Sequence, residues 1–312
     1  MSEVLVEVRR GGVLEGVHRG SAVVLDPAGR IERSWGDPSA PILPRSANKP
    51  AQATAMVRAG LPLDGELLAL ASASHSGEDF HLDGVRRILA LGDLDPSLLR
   101  TPPDWPLDEQ VRTAALAAGG HPSAPAMNCS GKHAAMLLTC RANGWSLEDY
   151  TDVDHPLQRL IREELAERAG EDPWAVAVDG CGAPLFGLTL AGLARMGSAV
   201  AFGDDEPARR VATAMRTHPE WVAGTHRDAA ALQRSLPGSL VKEGAEAVYL
   251  VVLADGRSLA LKIDDGSGRA RPPAMASILR AVGMDNAVIA EQMSSVLLGG
   301  GGPAGEVVGV AG

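Results

Sequence analysis

Segments with the signature of β-strands occur mainly near the two ends of this chain, and a long helical stretch separates them. Near the N-terminus, residues 4–8 alternate polar and apolar side chains. Residues 22–26 lead through the turn Asp26-Pro27-Ala28-Gly29 into residues 31–35, a hairpin pattern. Strand character returns at 239–242, 247–254 and 258–263, with Asp255-Gly256 suited to a tight hairpin turn. Between these groups the period is helical over 51–59, 83–91, 108–118, 132–142, 156–169, 184–196 and 207–217, apart from a short buried strand or extended piece at 175–178. Two further helices, over 273–282 and 286–298, close the pattern. Neither strand group makes a wide sheet alone. Joined edge to edge, they predict one antiparallel sheet of about five strands, with a helical block, residues about 46–235, inserted on one face. The expected class is α+β rather than alternating βαβ. No repeat or linker run divides the chain, so residues 1–312 are expected to form a single catalytic domain.

Composition narrows the partners. Basic residues number 29 against 39 acidic ones, a net charge of −10, and aromatic residues are only 3%. Nucleic acid is excluded as a partner, since phosphates need a Lys/Arg footprint and bases need rings to stack on. An anionic membrane surface is excluded for the same lack of basic clusters. The longest apolar run, 247–254, is far too short to cross a bilayer. The first residues alternate charged and apolar types and do not read as a signal peptide. Three cysteines, an odd number, point to thiols in a reducing compartment. The cytoplasm is the expected location.

Five short segments carry the chemistry. Ser46-Ala47-Asn48-Lys49 is an S-x-x-K at a helix start, where serine and lysine at i and i+3 are neighbours. A neutral amine there takes the serine proton, and a helix N-terminus favours the developing negative charge. Pro50 works against a helical Lys49 but is acceptable in a first turn. The stretch Ser72-Ala73-Ser74-His75-Ser76-Gly77-Glu78 gathers hydroxyls and an imidazole, without the G-x-S-x-G of an α/β-hydrolase elbow. Asn128-Cys129-Ser130-Gly131-Lys132-His133 holds a Gly-Lys pair, but His133 stands where a P-loop needs Ser or Thr, which rejects a nucleotide site. Asp179-Gly180-Cys181-Gly182 is a tight turn bearing a second thiol, and spacing alone establishes no metal site because there is no C-x-x-C. Lys242-Glu243-Gly244-Ala245 ends a strand where an amine can move protons at a cleft. Cys140, among apolar helical neighbours, reads as a buried inert thiol. The tail 300–305 matches G-x-G-x-x-G by chance, since no βαβ unit accompanies it.

Taken in order, S-x-x-K, a serine cluster and K-x-G on a late strand follow the arrangement of penicillin-binding proteins and serine β-lactamases. More closely, the five segments resemble the class 3, rhizobial-type L-asparaginases (asparaginase II) over nearly the whole chain. The resemblance implies a serine β-lactamase-like fold and an amidohydrolase that turns L-asparagine and water into L-aspartate and ammonia, usually as a homodimer. It implies two Ser-Lys pairs, Ser46 with Lys49 and Ser74 with Lys242, and zinc (Zn2+) held by Cys129, Lys132 and Cys181. His133 and Asp179 are expected to support those ligands. Ser72 and Ser76 are rivals of Ser74, and Lys262 is a rival of Lys242. The alternatives are a glutaminase or other serine acyl-transfer hydrolase of the same fold, or a non-catalytic zinc-dependent amino-acid-binding protein.

Overall fold

The computed structural model describes residues 1–312. Strands from both chain ends join edge to edge, as expected, but the antiparallel sheet has eight strands rather than about five. Across the sheet the order is Ser294–Gly299, Gly302–Gly309, Glu3–Arg10, Val13–Leu25, Ser258–Ile263, Val248–Val252 and Leu240–Gly244. Ile31–Trp35 pairs with the later half of the long Val13–Leu25 strand.

Two of the added strands correct the reading of the C-terminus. The helix expected over 286–298 stops at Gln292, and Ser294–Gly299 then pairs with Gly302–Gly309. The reason is the turn between them. Gly300 and Gly301 take φ of +58° and +84°, the two successive left-handed residues that a tight hairpin requires. The glycine-rich tail is therefore a hairpin. The helix expected over 184–196 also starts late. Pro184–Phe186 folds back on Val176–Val178, Leu188–Thr189 pairs with Pro41–Ile42, and the helix Leu190–Ala201 begins with the Thr189 hydroxyl accepting from Gly192 N. Helices Gly65–Ala71 and Asp228–Ser235 are additional to those the sequence suggests.

The sheet is covered on both faces where it bears on function. Val248, Leu250 and Val252 pack into the helical block, together with Val23 and Leu25. Their neighbours Tyr249 and Val251, with Ala22 and Val24, pack against the C-terminal helix Arg271–Ala281 and the helix Asp228–Ser235. A strand buried on both faces has no polar side, which explains the unbroken apolar run at 247–254. The same alternation sends Leu240 to the helical block and Val241 to the other core. Lys242 follows Leu240, so the edge strand presents its amine to the helices. No helix is long and apolar enough to cross a membrane.

Candidate active site

Four segments distant in sequence meet at the edge strand Leu240–Gly244. The first is the 3₁₀ turn Arg45–Asn48, which runs directly into the helix Lys49–Arg58. Pro50 sits in that helix's first turn and Lys49 is helical, with φ −59° and ψ −30°. Arg45 occupies the left-handed region at φ +49°, an unusual conformation for a residue with a side chain. It is clamped by an ion pair with Asp179 at 2.7 Å. The second segment is the extended stretch after Gly65–Ala71, fixed by Ser74 N donating to Val222 O and His75 N donating to Asn128 O, both at 3.0 Å. The third is the start of the helix Ser130–Asn143, which follows Cys129. Gly131 lets this helix approach closely, since a Cβ there would lie 2.6 Å from Leu70 O. The fourth is the hairpin turn Asp179–Gly182, closed by Gly182 N donating to Asp179 O at 2.8 Å.

These segments enclose a cleft of about 340 Å³ bordered by Ser46, Ser74, Cys129, Cys181 and Glu243. At one end Ser74 Oγ accepts from Lys49 Nζ and from Lys242 Nζ, each at 3.1 Å. Both lone pairs of the hydroxyl are taken, and its proton is left for a third partner. Lys49 also donates to Ala73 O and, at 3.0 Å, to Cys129 Sγ. None of its hydrogen bonds goes to Ser46. Ser46 borders the cleft, and the Lys49 amine, expected to share a face with it, turns instead to Ser74. Lys242 completes its set on Glu243 O at 2.7 Å. Burial pushes the Lys242 amine down to about 7, with Lys49 and Arg227 acting in the same direction against Glu243. Beside it Glu243 stays ionised. Burial opposes its charge, but Lys242, Arg227 and Arg271 outweigh that and hold its carboxyl at about 2.

The geometry separates the rivals. Ser72 Oγ and Ser76 Oγ are buried without partners. Lys262 donates to Glu246 O and Ile263 O and borders a different groove.

At the other end of the cleft the thiols of Cys129 and Cys181 pack together with Met127 and Ala183. All three cysteines are free. Lys132 Nζ donates to Cys181 Sγ at 3.2 Å, and the Cys129 thiol donates to Asn128 Oδ1 at 2.9 Å. Burial opposes the charge on Lys132, but the neighbouring thiols and Asp179 prevail and raise its pKa. Cys181 is the more acidic thiol: the adjacent Cys129, then Lys132 and His133, lower it against the effect of burial. His133 Nδ1 lies 2.8 Å from Tyr150 Oη, and its buried Nε2 has no hydrogen-bond partner. Asp179 Oδ2 lies 3.7 Å from Cys181 Sγ. His133 and Asp179 therefore both neighbour the thiol end.

No three His, Cys, Asp or Glu side chains converge into a metal site, so a metal would depend on the Lys132 amine. Two thiols and an amine, all buried, together with an open position on the cleft, form a donor set that suits zinc. Cys140 lies apart from the cleft, pushed up to about 12 by burial, as its inert reading requires.

The sequence reading missed Arg45, Glu243, Arg227 and Arg271, all of which border the cleft. Arg45 and Glu243 adjoin predicted site residues and were open to notice. Arg227 and Arg271 stand in no motif.

A family model described as L-asparaginase II matches residues 6–309. No curated protein matches the chain. Among solved structures, the chain is similar to a β-lactamase from Mycobacterium bovis, with 13% identity and a TM-score of 0.48 over 85% of this chain and 95% of that one. It is similar to Mglu in its native form, with 18% identity and a TM-score of 0.47 over 86% of this chain and 62% of that one. A Bacillus glutaminase follows, with 13% identity and a TM-score of 0.42 over 80% and 84%. These likenesses, all below a TM-score of 0.5, carry no weight for activity. The match that carries weight runs through nearly all of the sequence: the chain belongs to the L-asparaginase II family, a family of amidohydrolases.

Proposed function

We propose that the chain is an L-asparaginase, hydrolysing L-asparagine to L-aspartate and ammonia by Ser-Lys nucleophilic catalysis. The observation that carries this reading is the Ser74 hydroxyl held between two buried amines, Lys49 and Lys242, in the cleft that Ser46 borders. Amide hydrolysis needs a nucleophile, a base and an acid for the leaving nitrogen. Ser46 Oγ attacks the side-chain amide carbon of asparagine, and its proton passes to Lys49 as Lys49 releases one through the Ser74 hydroxyl to the neutral Lys242 amine. Lys242, working through Ser74, delivers a proton to the amide nitrogen as the carbon–nitrogen bond breaks and ammonia leaves. Water then attacks the acyl-serine, losing a proton to the same amines, and releases aspartate and free Ser46. An amine that titrates at about 7 is suited to both directions of this transfer.

Cys129, Lys132 and Cys181 would hold zinc, with His133 and Asp179 beside them. The zinc would supply a fixed positive charge that orders the cleft and helps to hold the amino-acid substrate. The Ser-Lys pairs already provide nucleophile and bases, so the hydrolytic steps belong to them.

We further propose that residues 1–312 act as one catalytic domain in a cytoplasmic homodimer. The free state of all three cysteines supports a reducing compartment, and light scattering reads the oligomeric state. The deciding experiment is ammonia release from asparagine and glutamine, with β-lactam opening assayed in parallel. Turnover of asparagine above the others is expected. Preferred turnover of glutamine or a β-lactam replaces this reading with that activity, and binding without turnover replaces it with a binding protein.

A further inference from the structure

Lys242 and Glu243 are neighbours on an edge strand, so their side chains leave opposite faces of the sheet. Lys242 enters the helical block. Glu243 lies opposite Tyr249 in the register, on the face of the second core. Because no strand lies beyond this edge, the carboxylate reaches back around it. Its Oε1 is 3.6 Å from Lys242 Nζ and 3.2 Å from an Arg227 Nη, while its Oε2 is buried with no partner. Arg227 arrives on the loop between Pro219–Val222 and Asp228–Ser235. Glu78 ties that loop down, accepting from Thr225 N at 2.8 Å and from Thr225 Oγ1 at 2.6 Å. Behind Glu243, Arg271 lies 5.2 Å over the Tyr249 ring and pairs with Asp228 at 2.7 Å. A buried carboxylate with an unsatisfied oxygen is costly, and no step of hydrolysis consumes it.

We propose that Arg227 and Glu243 form a positioning pair that acts through Lys242: the carboxylate steadies the amine against Ser74 and strengthens its hold on a proton, and the guanidinium limits that hold. The proposal rests on the reading of Lys242 as a proton carrier in amide hydrolysis. The charged groups around Lys242 come from every side. Glu243 belongs to its own strand, Arg227 to the overlying loop, Lys49 to the helix Lys49–Arg58, and Cys129, acting at longer range, to the turn before Ser130–Asn143. Arg271 acts on Glu243 from the second core. Glu243 favours the charged amine, and Cys129 would do so only as a thiolate, whereas burial, Lys49 and Arg227 disfavour it. Removing the Glu243 charge therefore lowers the pH at which the amine gives up its proton, and removing the Arg227 charge raises it.

The test compares the purified enzyme with E243Q, R227Q and R227K by two measurements. One is the pH dependence of kcat/KM for asparagine. The other is NMR titration of ¹³C-labelled lysine side chains, with the Lys242 signal assigned by its loss in K242M, which needs no turnover. E243Q should move both the acidic limb and the lysine titration down by about one pH unit, a tenfold change in the ratio of neutral to charged amine at fixed pH. R227Q should move both up by a similar amount, and R227K should restore them. Shifts of the same sign in E243Q and R227Q, or a uniform fall in kcat with no shift, overturn the proposal. If E243Q does not fold, R227Q and R227K decide alone, and an unmoved Lys242 titration in R227Q overturns it. A lysine titration that moves as stated in a protein that hydrolyses no asparagine keeps the pair and removes the functional reading. Hydrolysis with an unmoved titration removes the pair and keeps the reading.

Discussion

The two ends of the cleft each bury a lysine almost completely, and the two amines respond in opposite ways. Lys242 and Lys132 are 0% and 2% exposed. Burial is the largest influence on both and acts downward on both. Yet Lys242 falls to about 7, while Lys132 rises above its ordinary value. The difference is the company each keeps. Lys132 has two thiols and Asp179 around it, all of which favour its charge. Lys242 has one carboxylate, which Arg227 already shares, and a second amine across the same hydroxyl. Desolvation sets a common penalty, and the local balance of charge decides its outcome. One end is thereby suited to passing protons, whereas at the other the surroundings favour a positive charge, which the Lys132 ammonium supplies as long as it keeps its proton.

The largest effect expected at the lysine–serine end is from Ser46→Ala, which should lower kcat by about 10⁴-fold or more with unchanged far-UV circular dichroism. Turnover close to that of the parent would move the nucleophile away from Ser46, with Ser74 next in line. Lys242→Met comes second, with a loss of about 10²- to 10⁴-fold. Its sign in pH is fixed by the chemistry. The neutral amine is the base, so kcat/KM of the parent should climb as pH rises through about 7, the value to which burial drives Lys242. The variant should lack that limb, and a limb that persists belongs to another group.

At the thiol end the expected effects are smaller and of another kind. Chelation, or Cys181→Ser, should remove about one zinc per subunit by elemental analysis, as expected of a single site with three protein ligands and one position open to the cleft. It should raise KM by about 10- to 100-fold, and much more than it lowers kcat. That pattern marks lost binding without lost chemistry. Folded apo-protein with no turnover at saturating asparagine would place the metal in the chemical step and erase the division between the two ends. Equal metal in Cys181→Ser and the parent would take Cys181 out of the ligand set. The smallest effect belongs to Cys140→Ala. It should cost about 1 kcal/mol of stability and leave zinc content and kcat/KM unchanged, as a thiol outside both ends requires.

Much of this was legible in one dimension. The Lys242 and Cys181 segments announce themselves because an ionisable or soft side chain beside glycine in a turn or strand end is a local signal. The helix over 156–169 is read residue for residue, since Pro156 starts it and Gly170, at φ +68°, ends it. The strand Ser294–Gly299 was not legible as a strand. Its short apolar run suits either state, and only pairing across the Gly300-Gly301 turn selects the extended one. Arg227 and Arg271 were invisible for a similar reason. A guanidinium in a helix or loop has no pattern, and its role appears only when Glu243 is brought beside it.

What the sequence determined by itself is the α+β class, the meeting of strands from the two chain ends, the five segments that come to border one cleft and the family to which they point. Each of these depends on residue type and near-neighbour spacing, which the chain carries along its length. The tertiary structure decided which serine of three is gripped by the lysines, that Lys49 turns to Ser74 rather than to Ser46, and that Lys242 and not Lys262 reaches Ser74. It also decided that two equally buried lysines differ in their hold on a proton. Hydrogen bonds and Coulomb interactions act over a few ångströms of space, whatever the separation along the chain. The sequence separation of 168 between Ser74 and Lys242 therefore says nothing about a 3.1 Å contact that only the closed edge of the sheet creates.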